Sequence, residues 1–295
     1  MLPNSRFEEL LRDIEPKQGI RDSASEAHYS IRNYLRDHPV FSERLNQDFL
    51  AGSYSRHTAI RPSTAGGDEF RPDVDVYVEL RYGFGADPRD ILKNLRRVLQ
   101  ENYNVERMNR RSVRIRMPLV DVDVVPLIRS GKGFKIPDRR DEEWMQTDPL
   151  FHNAWSAAMN VEFQSRFKPL VKLIKWWRRV NFGSRRPKGF SLEILTAAHA
   201  PSDEYHYGEA FAQFLENIEE AYGDRPYEKP TLGDPAVRGK DILSNVSQKD
   251  WDDFMDLVAD HATMARLAQK TGNDKLAMDL WRQVLGPRMG WGFSA

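Results

Sequence analysis

The stretch that decides the fold is PDVDVYVEL, residues 72–80, in which polar and apolar side chains alternate. Successive side chains of a β-strand point to opposite faces, so the valines share one face with Leu80 and the two aspartates share the other. The apolar face predicts a strand packed on a hydrophobic core. On the other face, Asp73 and Asp75 hold two carboxylates close together, and their repulsion favours a divalent cation between them. The pair therefore predicts a metal site, with an ordinary exposed strand face as the alternative.

A second stretch, PLVDVDVVPLI at residues 118–128, repeats the pattern and places Asp121 and Asp123 on one face. Aspartate is a poor strand residue, so four aspartates at same-face positions of two strands indicate a shared role. If the two strands are neighbours, three of the carboxylates can converge on two Mg²⁺ ions. Such a pair of ions orients an attacking hydroxyl and stabilises the leaving oxygen in phosphoryl or nucleotidyl transfer.

The ligand types decide which metal is expected. The candidate ligands are all carboxylates, which are hard oxygen donors, and no histidine cluster accompanies them. Mg²⁺ is therefore favoured over zinc, with Mn²⁺ as the expected substitute. The chain has no cysteine, which excludes disulfides, thiolate zinc sites and a cysteine nucleophile.

Upstream of the first acidic strand lies LAGSYSRHTAIR, residues 50–61. Gly52 lets the backbone approach a phosphate closely, and the hydroxyl of Ser53 and nearby amides can bind phosphate oxygens at a helix N-terminus. A Gly-Ser pair on its own is usually a turn, and this one gains meaning from its place ahead of the acidic strand. We predict a helix start near Thr58, a loop at residues 61–72 because of its prolines and glycines, and then the acidic strand.

Composition and charge exclude several classes of function. The 295 residues (34.3 kDa) carry 44 Lys or Arg and 44 Asp or Glu, so no overall field draws the chain to nucleic acid or membrane. The mean hydropathy of −0.66 and the lack of a long apolar run predict no membrane span. The charged N-terminus lacks the apolar core of a signal peptide, so we expect a soluble, cytoplasmic protein.

Together these motifs resemble a known superfamily. Gly52-Ser53, then Asp73-Val-Asp75, then Asp123 in the sequence DVVP are similar to the signature of DNA-polymerase-β-type nucleotidyltransferases. The longer form, GSYSRHTAIRP before DVDV, resembles the bacterial cGAS/DncV-like nucleotidyltransferases. The stretches KLIKWW (172–177) and GFSLEIL (189–195) are similar to oligoadenylate synthases and their bacterial relatives. The resemblance spans roughly residues 5 to 285.

The resemblance implies an α+β fold with its active site in a cleft between two lobes. The first would be a polymerase-β-like nucleotidyltransferase lobe at residues 1–160, a mixed sheet with helices that includes the N-terminal helices. The second would be a helical, oligoadenylate-synthase-like lobe at residues 161–295. The mixed first half and helical second half of the sequence independently favour this division.

The resemblance also assigns residues to roles. Asp73, Asp75 and Asp123 match the catalytic, metal-binding triad; Asp121 is the fallback, since the family's third acid precedes the apolar-apolar-Pro stretch. Ser53 matches a residue that contacts the donor triphosphate. The full set of implied nucleotide-binding residues is Gly52, Ser53, Thr58, Lys172, Lys175, Phe190 and Ser191.

The helical half adds a cationic face to these assignments. Lys168, Lys172, Lys175 and Arg179 recur at helical spacing, and like charges so placed repel unless an anion lies against them. We therefore predict a triphosphate clamp, against the alternative of a solvated basic face. Phe190 and Ser191 would line the base pocket, Phe190 as a stacking surface or as a core residue.

The implied activity is the metal-dependent synthesis of a cyclic di- or trinucleotide second messenger from NTPs, ATP among them, with release of pyrophosphate. This would serve antiphage signalling of the CBASS type. Three alternatives stay open: a linear oligoadenylate synthase or RNA-terminal nucleotidyltransferase, a non-catalytic nucleotide-binding protein, and an antitoxin-type or aminoglycoside nucleotidyltransferase.

The resemblance bears on partners as well. The zinc-dependent DNA sensing of animal relatives is excluded because the chain lacks cysteine. Some bacterial relatives have their C-terminus conjugated by partner enzymes, so a regulatory or C-terminal-conjugating partner is a further hypothesis for the glycine-rich tail at 286–295.

Overall fold

The computed structural model describes residues 1–65, 68–82 and 85–290. The helices are α1 Asn4–Ile14, α2 Gln18–Asp37, α3 Gly52–Ser55, α4 Pro88–Gln100, α5 Pro149–Glu162, α6 Phe167–Phe182, α7 Phe190–His199, α8 Tyr207–Tyr222, α9 Gln248–Lys270 and α10 Asp274–Leu285. The strands are β1 Leu45–Ala51, β2 Ser63–Ala65, β3 Asp68–Phe70, β4 Asp73–Leu80, β5 Val105–Met108, β6 Val113–Arg116, β7 Asp121–Ser130, β8 Gly133–Asp138 and β9 Glu143–Thr147.

One mixed sheet carries both acidic strands at its centre. Its order is β1-β4-β7-β6-β5, with β8 pairing to β7 and β9 pairing to β8. Strands β4 and β7 are parallel neighbours, whereas the other pairs are antiparallel. The neighbouring strands that the metal-site prediction requires are therefore present.

Two hydrophobic cores hold the molecule together. The first packs the valines of β4 and β7 against α2 and α4; Val74, Val76 and Val78 are at most 1% exposed, as the alternating sequence predicts. The second core is helical and buries four tryptophans, Trp176, Trp177, Trp251 and Trp281. The α+β fold with a helical C-terminal region is confirmed.

Helix α1 packs in the helical core, because Phe7 meets Trp281 edge to face with the ring centroids 4.9 Å apart. The first residues of the chain thus join the second core, although the chain continues into the sheet. The division at residues 160 and 161 stays a prediction.

Two local predictions are wrong. The helix expected near Thr58 begins at Gly52 instead, and Thr58 lies beyond its end. Residues 61–72 are not simply a loop, since β2 and β3 pair within them as a short hairpin. No helix in the described part of the chain combines the length and apolarity needed to cross a membrane.

Candidate active site

The register of the two central strands brings the predicted acids together. Asp73 lies opposite Asp121 and Asp75 opposite Asp123 across the parallel β4–β7 pair. Same-face neighbours in adjacent strands lie side by side. Burial first, and then the negative charges of Asp73 and Asp123, raise the pKa of Asp75 well above its usual value. Burial and the charge of Asp123 likewise raise the pKa of Asp73.

An arginine from the neighbouring strand β6 lies among these acids. Arg114 on β6 is the cross-strand partner of Asp123, and its Nη2 donates to an oxygen of that carboxylate. Its guanidinium also lies 3.6 Å from Asp121 and 3.7 Å from Asp73. Arg114 therefore neutralises part of the charge that the aspartates concentrate here. In the sequence, Arg114 lies in VRIR, a short distance before DVDV. That closeness was the signal that the two strands could pair and bring Arg114 to the acids.

The donor set fits a hard divalent cation. Asp73 and Asp75 supply carboxylates with raised pKa values, and Asp123 is their neighbour in register. The oxygens of Asp123 accept from Asn109 Nδ2 at 2.8 Å and Ser112 Oγ at 2.9 Å as well as from Arg114. As these side chains stand, no three acids or histidines among the described residues surround a common point. Within the described part of the chain, one oxygen of Asp123 accepts only from Arg114 and so keeps a lone pair that a cation could use.

Gly52 places the start of α3 directly against Asp75. Ala51 pairs with Asp75 across β1 and β4, and the chain then turns at Gly52 with φ +71°. A Cβ atom on Gly52 would overlap the carboxylate of Asp75, lying 2.7 Å from its Cγ. Glycine is therefore required twice here, for its backbone angle and for the close approach. Ser53 comes next and lines the same cleft.

Asp73, Asp75 and the fallback Asp121 line a cleft of about 560 Å³ bounded by the sheet, α3, α6 and α7, whereas Asp123 is not among its lining residues. Its wall includes nine Arg or Lys side chains and four Asp or Glu side chains, although the whole chain has no net charge. The positive charge of the molecule is thus concentrated where a polyanion can enter. The cationic residues are Arg56, Arg71, Arg107, Arg114, Arg116, Lys175, Arg178, Arg179 and Lys188.

The predicted lysine clamp is only partly brought to this cleft. Lys175 lines it, but its buried Nζ donates to Glu193 Oε1 at 2.6 Å and to Thr58 Oγ1 at 3.0 Å. Lys172 does not line the cleft and pairs instead with Glu15 near the end of α1. The lysine at the cleft is therefore held by a carboxylate. Lys172 lines an adjoining pocket that shares Asp73 with the cleft, and its triphosphate role stays a prediction.

Of the two residues predicted for the base pocket, one lines the cleft and the other does not. Phe190 lines the cleft, with the guanidinium of Arg56 4.8 Å from its ring centroid and the ring of His152 4.6 Å away. Ser191 is buried at the start of α7 and does not line the cleft. Phe190 therefore both lines the cleft and packs against its neighbours.

A buried ionic network that no sequence pattern indicated joins the two cores beside the cleft. Glu193 on α7 accepts from Arg56 Nε at 2.9 Å and Nη2 at 3.1 Å, from Thr58 Oγ1 at 2.8 Å, and from Lys175. Burial acts to raise the pKa of Glu193, but the charges of Lys175 and Arg56 outweigh it and lower the pKa to about 2. This network fixes the segment after Ser53 against the helices.

We expect Glu193→Gln to lower the free energy of unfolding by about 3 kcal/mol, because it leaves two buried cations without a carboxylate. The native pKa of Glu193 lies below its ordinary value of 4.5, so the stabilisation is complete above pH 4.5 and is lost as the pH falls toward 2. Urea unfolding at neutral and acidic pH measures both effects.

The matched control for Glu193 is Glu220→Gln at an exposed position of α8, which should change the free energy of unfolding by no more than about 0.5 kcal/mol. Equal stabilities for the two variants would contradict a structural role for the network.

The fold and the site agree with comparisons to known proteins. Residues 1–160 match the family described as Second Messenger Oligonucleotide or Dinucleotide Synthetase domain. The chain is 41% identical over 295 residues to a cyclic AMP-AMP-AMP synthase of Acinetobacter sp., covering 98% of this chain and 85% of that protein.

Solved structures show the same architecture. The CdnC protein of E. coli MS115-1 with ATP superposes with a TM-score of 0.78 at 22% identity, covering 98% of this chain and 99% of that one. Its complex with HORMA-deltaN gives a TM-score of 0.77 at 21% identity over 97% and 98% of the two chains. Because the family match spans more than half of the chain and the Acinetobacter relative is 41% identical, the chain belongs to the second messenger oligonucleotide or dinucleotide synthetases, the bacterial cGAS/DncV-like nucleotidyltransferases.

Proposed function

We propose that the protein makes a cyclic trinucleotide of AMP from ATP with Mg²⁺. The observation that carries the proposal is the register of β4 and β7, which sets Asp73 and Asp75 beside Asp121 and Asp123. Asp73, Asp75 and Asp121 line the cationic cleft. The choice of cyclic tri-AMP rests on the 41% identity to the Acinetobacter cyclic AMP-AMP-AMP synthase over nearly the whole chain.

Each part of the cleft has a role in this proposal. Asp73 and Asp75, joined by Asp123, would hold the metal ions, which orient an attacking hydroxyl and stabilise the leaving oxygen when bound. Gly52 and Ser53 present backbone amides and a hydroxyl to the donor phosphates. Phe190 offers its ring to a base. Positioning and electrostatic stabilisation supply most of the rate in such reactions.

In this proposal the proton of the attacking ribose hydroxyl is removed near Asp123, the in-register neighbour of Asp75. Attack on the α-phosphate expels pyrophosphate, and two further rounds, the last one intramolecular, would close the ring.

The test is product analysis. Purified protein is incubated with ATP alone and with all four NTPs, with Mg²⁺ or Mn²⁺, and phosphatase-treated products are identified by mass spectrometry. We expect a phosphatase-resistant cyclic trimer of AMP in both mixtures. Linear products would support the oligoadenylate-synthase alternative. A cyclic product that contains another base would agree with cyclic oligonucleotide synthesis but contradict the proposal that ATP is the only substrate. Nucleotide binding without any product would support a binding protein.

We extend the proposal to the biological setting. The E. coli CdnC protein forms a complex with HORMA-deltaN, which supports the proposal of a partner of that kind for this chain. The setting in cytoplasmic antiphage signalling stays a proposal that the family resemblance implies. If the purified protein makes no cyclic nucleotide by itself, adding such a partner should start its synthesis. The hypothesis of C-terminal conjugation falls on the tail at 286–295, of which residues 291–295 lie outside the described residues, and it stays a prediction.

A further inference from the structure

Arg178 is a buried cation on the helical wall of the cleft. It lies in α6, lines the cleft beside Arg179, and is 4% exposed. Its Nε and Nη2 atoms are closed to solvent and have no hydrogen-bond partner among the described residues, so the guanidinium has to turn for them to meet a ligand in the cleft. A buried charge without a partner is unfavourable by several kcal/mol, and proteins rarely retain one without a use.

Other buried cations of the same cleft are satisfied within the protein. Arg56 makes two hydrogen bonds to Glu193, and Lys175 donates to Glu193 and Thr58. Arg178 is different, because the charged neighbours that act on it are themselves arginines: Arg179, Arg185 and Arg186. Burial and this positive surrounding lower the pKa of Arg178 to about 10, which leaves it charged at neutral pH.

We propose that Arg178 binds the triphosphate of a nucleotide in the cleft, in the role that the sequence pattern predicted for Lys172. The inference rests on the proposed function and adds a phosphate-binding residue to it. A guanidinium presents parallel N–H donors that match two phosphate oxygens, and such charge-assisted bonds are about twice as strong as neutral ones. A nucleobase carries no negative charge, so it would not offset the repulsion between Arg178 and the neighbouring arginines. A triphosphate would offset it.

If Arg178 binds triphosphate, its replacement should weaken ligand binding without lowering the stability of the ligand-free protein. Without ligand, the unpartnered guanidinium destabilises the fold, so replacing it by methionine, which keeps a similar apolar stem, should not lower the midpoint of thermal unfolding. The same replacement removes the donors that a triphosphate would use. A residue with a purely structural role would show the opposite pattern, a lower midpoint with unchanged binding.

The probe is inorganic tripolyphosphate, titrated calorimetrically into metal-free protein, with adenosine as the phosphate-free comparison. We expect Arg178→Met to weaken tripolyphosphate binding by about tenfold or more and Arg178→Lys to weaken it less, with adenosine binding unchanged. Arg225→Met is the matched control: Arg225 is exposed, pairs with Asp256, does not line the cleft and is not among the charges that act on Arg178, so the affinity of this variant should equal that of the wild type.

Three results would overturn the assignment: no binding of tripolyphosphate to the wild type, unchanged binding to Arg178→Met, or a lower unfolding midpoint for Arg178→Met without ligand. Because the probe lacks a base and no metal is added, the measurement does not depend on whether the enzyme closes a ring. Failure of the proposed function would appear in the product analysis instead.

Discussion

An Asp75→Asn variant should lose about a thousandfold or more of the rate of product formation while remaining folded. Asparagine keeps the shape of the side chain but removes the negative charge that a divalent cation requires, and metal ions supply several kcal/mol of transition-state stabilisation in such sites. Product formed per unit time from ATP, followed by mass spectrometry, measures the loss. Binding of Mn²⁺, followed by electron paramagnetic resonance, should weaken in parallel.

The same variant should be more stable than the wild type at neutral pH without metal. The pKa of Asp75 is raised in the native protein, so the native state holds its proton more tightly than the unfolded chain does. Stability therefore falls as the pH rises from 3.8 through the raised native pKa. The substituted amide cannot ionise, so the advantage of the variant appears across that window and disappears below pH 3.8. Urea unfolding in chelator over a pH series measures the difference.

Glu79→Gln is the matched control on the same strand. Glu79 is buried on β4 but lies away from the cleft, where both of its oxygens accept from Arg129, at 3.1 and 2.9 Å. Its replacement should lower stability by about 1–3 kcal/mol and leave product formation in place. If Asp75→Asn keeps the activity, or if Glu79→Gln loses it as completely, the assignment of the site to the Asp73 and Asp75 end of β4 is wrong.

The acidic face was predictable from sequence because it depends on local periodicity. Alternation along residues 73–80 and 121–127 defines which side chains share a face, whatever the strands pair with. That the two strands are parallel neighbours required a pairing between segments far apart in the chain, which the alternation permits but does not dictate. The spacing of Gly52 and Ser53 from the first acidic strand indicated only that they belong to the same site.

The partners of the cations were not predictable, because they depend on packing between distant segments. Lys172 and Lys175 share a helical face in sequence, yet Lys172 turns to Glu15 on the α1 side while Lys175 meets Glu193. Residues three positions apart on a helix differ by about 60° around its axis, which is enough to place one lysine outside the cleft. Glu193 has the sequence context of an ordinary helix residue, and only the fold brings Arg56 to it from 137 positions away.

The position of Gly52 leads to the second large effect. Gly52→Ala should reduce product formation about a hundredfold to a thousandfold, because the new methyl group would overlap the carboxylate of Asp75 and displace it. Displacement of a reacting group by about 1 Å is enough for losses of this size. The added strain of a positive φ should also lower the free energy of unfolding by about 1–2 kcal/mol.

Gly131→Ala separates the two effects of that substitution. Gly131 lies in the turn between β7 and β8 with φ +58°, and a Cβ atom there would meet nothing within 4 Å. It should show the same loss of stability from backbone strain but keep full activity, whereas Gly52→Ala should lose both. Retained activity in Gly52→Ala, or equal losses of activity in the two variants, would mean that contact with Asp75 is not what requires glycine at residue 52. A loss of activity in Gly52→Ala alone, together with weakened Mn²⁺ binding, would show that the turn at the start of α3 positions the carboxylate of Asp75.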